Sequence, residues 1–203
     1  MLEPSKGLIT FRSEGNNFKN SQFYSRVIHW PERMRLCDSS GAASGVTIGR
    51  GYDMRHRSRE SILRDLRMAG IPLEQANKIS LAAKLHKCQA GSFVLKNKND
   101  IGEITEIQQV KLFNLTYPAY ESDAHRFYNQ YKSSNSVQWE DLNLRIRDVL
   151  IDMKYQGNLR RSDILIFEKN NIDETIELIL STPRIRQYEA ARNRVSYLKG
   201  DSL

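Results

Sequence analysis

Hydrophobic and polar positions alternate along the stretch SGVTIGRGYDM, Ser44 to Met54. Val46, Ile48, Arg50, Tyr52 and Met54 fall on one side. Gly45, Thr47, Gly49, Gly51 and Asp53 fall on the other. Period two is the pattern of a strand, and the β-branched Val46, Thr47 and Ile48 suit it. Glycine weakens a strand unless another backbone or a ligand must come close. The pattern therefore predicts a short hairpin with one stripped face, edged by a hydroxyl and a carboxylate, as the wall for a polymeric substrate. A glycine-rich turn in a small sheet accounts for the same residues.

Elsewhere the period is that of helices. Leu8, Ile9 and Phe11 predict a short helix ended by Gly15. Residues 16–43 are polar and irregular, with SSGAAS a loop signal. Ser58 caps a helix carrying Ile62, Leu63, Leu66 and Ala69, stopped by Gly70 and Pro72, and LEQANKISLAAKL is the next helical stretch. Thr105 to Gln108 has capping-box spacing ahead of Ile107, Val110 and Phe113. Pro118 breaks or kinks that helix, or starts another. Tyr120, Ala124, Phe127, Tyr128 and Tyr131 then form a stripe expected in the core. Ile146, Val149, Leu150 and Met153 mark a helix ended by Gly157. Ile172, Ile176, Ile179 and Leu180 mark another, and Thr182-Pro183 starts a last one running to about Lys199-Gly200. The fold class expected is α+β.

Composition narrows the function classes. A chain of 203 residues, 39% hydrophobic and 27% charged, suits one globular domain. No apolar run approaches the roughly 18 residues of a membrane helix, and the N-terminus lacks the apolar stretch of a signal peptide. Lys and Arg total 31 against 24 acidic residues, a net +7 spread along the chain rather than held in a basic tail. That excess suits an anionic partner or a generic basic surface. Cys37 and Cys88 are the only cysteines, with no CxxC pair and no ligand spacing to the four histidines. No metal site is expected, and the two cysteines form either one disulfide or two buried thiols. There is no phosphate loop, dinucleotide fingerprint or nucleophile elbow.

Candidate chemistry rests on carboxyl groups. Glu14 closes the first helix, and Asp53 stands on the open face of the hairpin, six positions after Thr47. Glycosidases need one carboxyl that stays protonated, to give its proton to the leaving oxygen. They need a second that stays ionised, to activate water or steady the positive sugar.

A resemblance gives the pair a context. ITFRSEG followed by GVTIGRGYDM resembles the start of the phage-type lysozymes, a Glu-Gly pair and then a hairpin reading Thr-Ile-Gly-x-Gly. ITEIQQVKLFN, RDVLIDMKYQG and YEAARNRVSYLKG are similar to three later helices of that family, in family order. The blocks span roughly residues 8–200, each short and moderately specific. The resemblance implies a lysozyme-like fold, with a small hairpin lobe (about 15–57), a larger helical lobe (about 58–203) and a cleft between. It implies Glu14 as the catalytic acid, Thr47 as the threonine that helps hold the attacking water, and Tyr155 and Gln156 as lining of the sugar cleft. Gly49 and Gly51 become a low floor for the glycan, with Tyr52 beside them. One position departs from the pattern. The phage enzymes carry an Asp six residues before the threonine, where this chain has Gly41. The pesticin-like toxin muramidases have an Asp six residues after it, which Asp53 matches. Asp38 is the fallback.

The expectation is a muramidase that cuts the β-1,4 bond between N-acetylmuramic acid and N-acetylglucosamine in peptidoglycan, without cofactor or metal. Rival readings are a lytic transglycosylase working through Glu14 alone and a non-catalytic peptidoglycan-binding module. The partners implied are glycan strands and a periplasmic immunity protein, with no nucleic acid and no membrane insertion, the chain acting as a monomer. The resemblance points to action in the periplasm or wall of a target cell. An effector domain from a longer chain and a phage lysis protein are both open.

Overall fold

In the computed structural model, which describes residues 2–31, 34, 37, 38 and 44–201, the alternating stretch forms a hairpin. Strand β1 (Thr47–Ile48) pairs antiparallel with β2 (Tyr52–Asp53), Thr47 opposite Asp53 and Ile48 opposite Tyr52. Gly49 (φ +64°) and Gly51 (φ +79°) flank Arg50 in the connecting turn. These are left-handed values that glycine adopts without strain. Val46, Ile48, Tyr52 and Met54 are buried, as the period-two pattern requires. His29 bridges to the other side of β1, opposite Thr47, and Gly45 bridges to His86.

Eleven helices accompany this sheet among the described residues: α1 (Leu8–Ser13), α2 (Arg59–Met68), α3 (Leu73–Ser80), α4 (Lys87–Ile101), α5 (Glu106–Tyr131), α6 (Leu144–Tyr155), α7 (Arg161–Phe167), α8 (Ile172–Ser181), α9 (Pro183–Arg186), α10 (Glu189–Arg192) and α11 (Arg194–Lys199). The fold is α+β, mostly helical with one small antiparallel sheet. Ser58 caps α2 by accepting from the Ser61 amide. Thr105 and Gln108 exchange side-chain bonds to each other's amides, at 3.2 and 2.8 Å, to start α5. Helix α5 runs on through Pro118. No helix among the described residues is long and apolar enough to cross a membrane.

Three expectations need correction. Helices α4 and α7 had no clear sequence signal, since α4 buries only Ala90, Gly91 and Ile101 over its 15 residues. The single last helix expected from Pro183 to Lys199 is three short ones, because Asn193 takes a left-handed φ of +52° between α10 and α11. Of the tyrosine stripe, Ala124 and Tyr128 are fully buried, while Tyr120, Phe127 and Tyr131 are half-buried.

The chain divides into two compact units, Met1–Pro4 with Glu14–Thr116, and Ser5–Ser13 with Tyr117–Leu203. The first holds the hairpin and helices α2 to α4 over a core that includes Ile28, Ile48, Ile62, Leu66, Ile104 and Leu112. It also carries a disulfide, Cys37–Cys88, which settles the two alternatives left open for these cysteines. The second packs α1 on α6 and α11 on both α6 and α8. At its centre the fully buried Asp152 accepts from Arg192 at 2.6 Å and from Arg194 at 2.7 Å.

Candidate functional site

The hairpin edge is built around Thr47. Its amide donates to the His29 carbonyl and its carbonyl accepts from the His29 amide, both at 2.9 Å. Thr47 therefore commits its backbone groups to His29, and its pairing with Asp53 is of the non-hydrogen-bonded kind. Side chains come closest in such pairs. His29, Thr47 and Asp53 form one cross-strand row on one face of the sheet.

Asp53 is held firmly. Its Oδ1 accepts from the Arg55 amide at 2.7 Å, and its Oδ2 from the Gly45 amide at 3.2 Å. A Cβ on Gly45 would collide with Asp53 Oδ1 and stand 2.8 Å from the Arg55 amide, so this approach requires glycine. The Thr47 hydroxyl donates to the Gly45 carbonyl at 3.3 Å. One peptide residue thus orients both polar side chains. Burial lowers the pKa of His29, and its Nδ1 lies 3.1 Å from the Val27 carbonyl. A neutral ring with the proton on Nδ1 satisfies both observations.

Glu14 directly follows α1, where Gly15 (φ +133°) turns the chain. A Cβ on Gly15 would stand 2.9 Å from both the Phe23 carbonyl and Ser25 Cβ. Behind this turn runs a polar chain. Ser25 donates to Gln109 Oε1 at 2.8 Å, Gln109 Nε2 donates to Asn17 Oδ1 at 2.9 Å, and Arg50 Nη2 donates to the same oxygen at 3.3 Å. Arg50 is only 2% exposed. Burial brings its guanidinium down to about 10, against the opposing pull of the Glu106, Glu14 and Glu3 carboxylates.

The other expected site residues have packing partners of their own. Gly49 is buried, its missing Cβ facing Leu112, Gln109 and Ile104 at 3.6–3.9 Å, and with Gly51 it serves the turn. Tyr52 is 2% exposed, its hydroxyl donating to Asp65 at 2.8 Å and its ring under Arg57 at 4.2 Å. Gly49 and Tyr52 are buried, while Gly51 is half-buried. In the second unit Tyr155 packs on Tyr120 with ring centroids 4.1 Å apart, and Gln156 Oε1 accepts from Arg194 at 2.7 Å. Asp38 is exposed, with Oδ1 3.0 Å from the Cys88 sulfur. Gly41 lies outside the described residues. Cys37, Asp38 and Cys88 bring three potential ligand atoms within 4.8 Å of one another, but both sulfurs are tied up in the disulfide and offer no thiolate.

His29, Gly45 and Arg50 belong to the site only in the folded chain. Arg50 and Gly45 were visible as members of the alternation. Nothing local marked His29, which a long-range bridge brings to Thr47.

A family model described as a domain of unknown function (DUF8812) matches residues 7–186. The chain belongs to this family. The DUF8812 match takes in Glu14, His29, the hairpin and Gln156, and ends before α10 and α11 with their Arg192 and Arg194. No curated protein matches the chain.

Proposed function

We propose that the chain is a peptidoglycan muramidase of lysozyme-like fold, resembling the pesticin-like toxin muramidases. The observation that carries this reading is the direct cross-strand pairing of Thr47 with Asp53, on a hairpin in the same compact unit as Glu14. In this scheme Glu14 gives its proton to the glycosidic oxygen as the bond from the sugar's anomeric carbon breaks. Asp53 and Thr47 hold a water on the opposite face, and Asp53 takes a proton from it as its oxygen bonds to that carbon. The product is the α-anomer, and carboxyl groups in such inverting enzymes stand roughly 6.5–9.5 Å apart. Two carboxyls and water complete the reaction.

One observation favours a second reading. Both Asp53 oxygens already accept backbone amides, a structural task that leaves Glu14 as the lone acid of a lytic transglycosylase. Mass spectrometry of the released muropeptides separates the two, since the transglycosylase closes an anhydro ring and the hydrolase adds water. The disulfide supports action in an oxidising compartment such as the periplasm of a target cell. A producing bacterium with its own wall would then need an immunity protein.

The deciding experiment is Glu14→Gln. Glutamine keeps the shape and cannot donate the proton, so lysis of purified peptidoglycan should fall by about two to four orders of magnitude. Turbidity loss at the wild-type rate removes Glu14 from the mechanism.

A further inference from the structure

The excess positive charge is not distributed as the chain-wide spread of basic residues suggests. Ten of the 31 Lys and Arg fall between Arg55 and Lys98, with only three of the 24 acidic residues. This stretch alone carries +7, and the remaining chain is neutral. It covers α2, α3 and most of α4, which pack in sequence, α2 on α3 and α3 on α4. The three acids are all engaged locally. Asp65 pairs with Arg57 at 3.6 Å and Arg64 at 3.3 Å, Glu74 pairs with Lys78 at 3.3 Å, and Glu60 lies in the first turn of α2 beside the Ser58 cap. Arg59, Arg64, Arg67, Lys84, Lys96 and Lys98 are exposed.

The stretch is also held against the hairpin edge. The Arg55 amide and Arg57 Nε both donate to Asp53, and the Lys84 amide donates to the Met54 carbonyl at 3.1 Å. Lys84 (φ +62°) and Lys87 (φ +53°) both take left-handed backbone values. Residues with a Cβ are strained in that conformation, and it persists where the surroundings over-determine it. The two residues bracket the turn that leads from α3 into α4.

We propose that α2, α3 and α4 form a docking surface for a flexible phosphodiester polymer lacking bases, beginning at the Asp53 flank of the hairpin. Arginine dominates the near end, where Arg59, Arg64 and Arg67 are exposed, and its fork matches phosphate oxygens. A surface for single-stranded nucleic acid interleaves its cations with stacking aromatics. Here Phe93, half-buried, is the single Phe, Tyr or Trp between residues 55 and 98. A membrane-surface helix needs a free apolar face. The apolar faces of α2 and α3 are taken up by the core through Ile62, Leu66, Ala76 and Ile79. Lys78 of α3 is paired with Glu74 and Asp100, and Met68, Leu73, Leu81 and Leu95 are exposed one at a time along the stretch. The exposed cations on α2, on α4 and ahead of α4 suit a long chain of phosphates and give affinity without base readout. This surface stands apart from the hydrolase reading.

The test titrates the intact chain with a labelled synthetic glycerol-phosphate oligomer at several salt concentrations. The wild type should bind, with affinity falling steeply as salt rises. The exposed pairs Arg64→Glu/Arg67→Glu and Lys96→Glu/Lys98→Glu should each weaken binding at least tenfold. Each should flatten the salt slope by about 1.4, at roughly 0.7 for every phosphate no longer neutralised. The control pair Lys111→Glu/Arg186→Glu, exposed positions outside the stretch, should change affinity less than twofold. Equal weakening by the control pair reduces the effect to net charge and overturns the proposal. Tighter binding to an oligonucleotide of equal charge overturns it in favour of nucleic acid. Capture by phosphatidylglycerol vesicles without oligomer binding overturns it in favour of a bilayer. Oligomer binding by a chain that releases no muropeptide supports this surface while sinking the muramidase reading.

Discussion

Asp53 and Asp38 are chemically identical and differently placed. Asp53 is oriented by two backbone amides, opposite Thr47, whereas Asp38 is exposed beside the disulfide. If Asp53 activates the water, Asp53→Asn should be nearly inactive on peptidoglycan and Asp38→Asn close to wild type. The fresh product should be the α-anomer by proton NMR. The reverse ranking of the two variants transfers the role to Asp38, and a β-anomer rules out the inverting water. His29 makes a second prediction through pH. Its folded pKa lies below the ordinary 6.5 because burial penalises the charged ring. The unfolded chain therefore takes up a proton below that pH before the folded chain does. Stability should fall as pH drops from about 6.5 toward the lowered folded value, and be fully kept above it. Urea midpoints at pH 7 and pH 5 measure this, and His29→Gln should narrow the gap between them. An unchanged gap assigns the acid sensitivity elsewhere. At this scale the alternation made Thr47 and Asp53 legible as same-face neighbours, because period two survives in a paired strand. It left the left-handed values of Gly49 and Gly51 unreadable, because a residue pattern carries no sign of φ.

Helix α5 is the longest element, 26 residues, and its first turn depends on the reciprocal bonds of Thr105 and Gln108. Thr105→Ala should cost about 1 kcal/mol, read as a lower thermal midpoint with unchanged spectroscopic helix content. No change would mean that tertiary packing alone holds that end. The box was readable because capping is a local device, and the same holds for Ser58 ahead of α2. Helix α4 was not readable, because its burial rests on two small residues and Ile101 rather than on a stripe of large ones. Gly91 is there for close packing, since a Cβ would stand 2.8 Å from the Trp30 ring. The break at Asn193 was hidden for a related reason. Asparagine tolerates the left-handed region without announcing it, and the surrounding pattern remains helical. Pro118 carried two meanings in the sequence, and the helix passes through it.

At the scale of the whole molecule, the disulfide closes a loop of 51 residues in the first unit. Loop-closure entropy for that separation corresponds to about 4 kcal/mol. The Cys37→Ser/Cys88→Ser variant should lose stability up to that amount, measured by denaturant unfolding. A variant as stable as the oxidised wild type shows that the link constrains nothing in the unfolded chain. The division into two units has its own practical consequence. The chain has two tryptophans, and each unit holds one. Trp30 donates its indole N–H to the Ser44 carbonyl at 3.0 Å in the first. Trp139 stacks on His125 at 4.9 Å in the second. Nature has installed a separate fluorophore in each half. With one of them replaced by phenylalanine, emission during denaturation reports on a single half. Comparing the two traces tells directly whether the molecule melts once or twice.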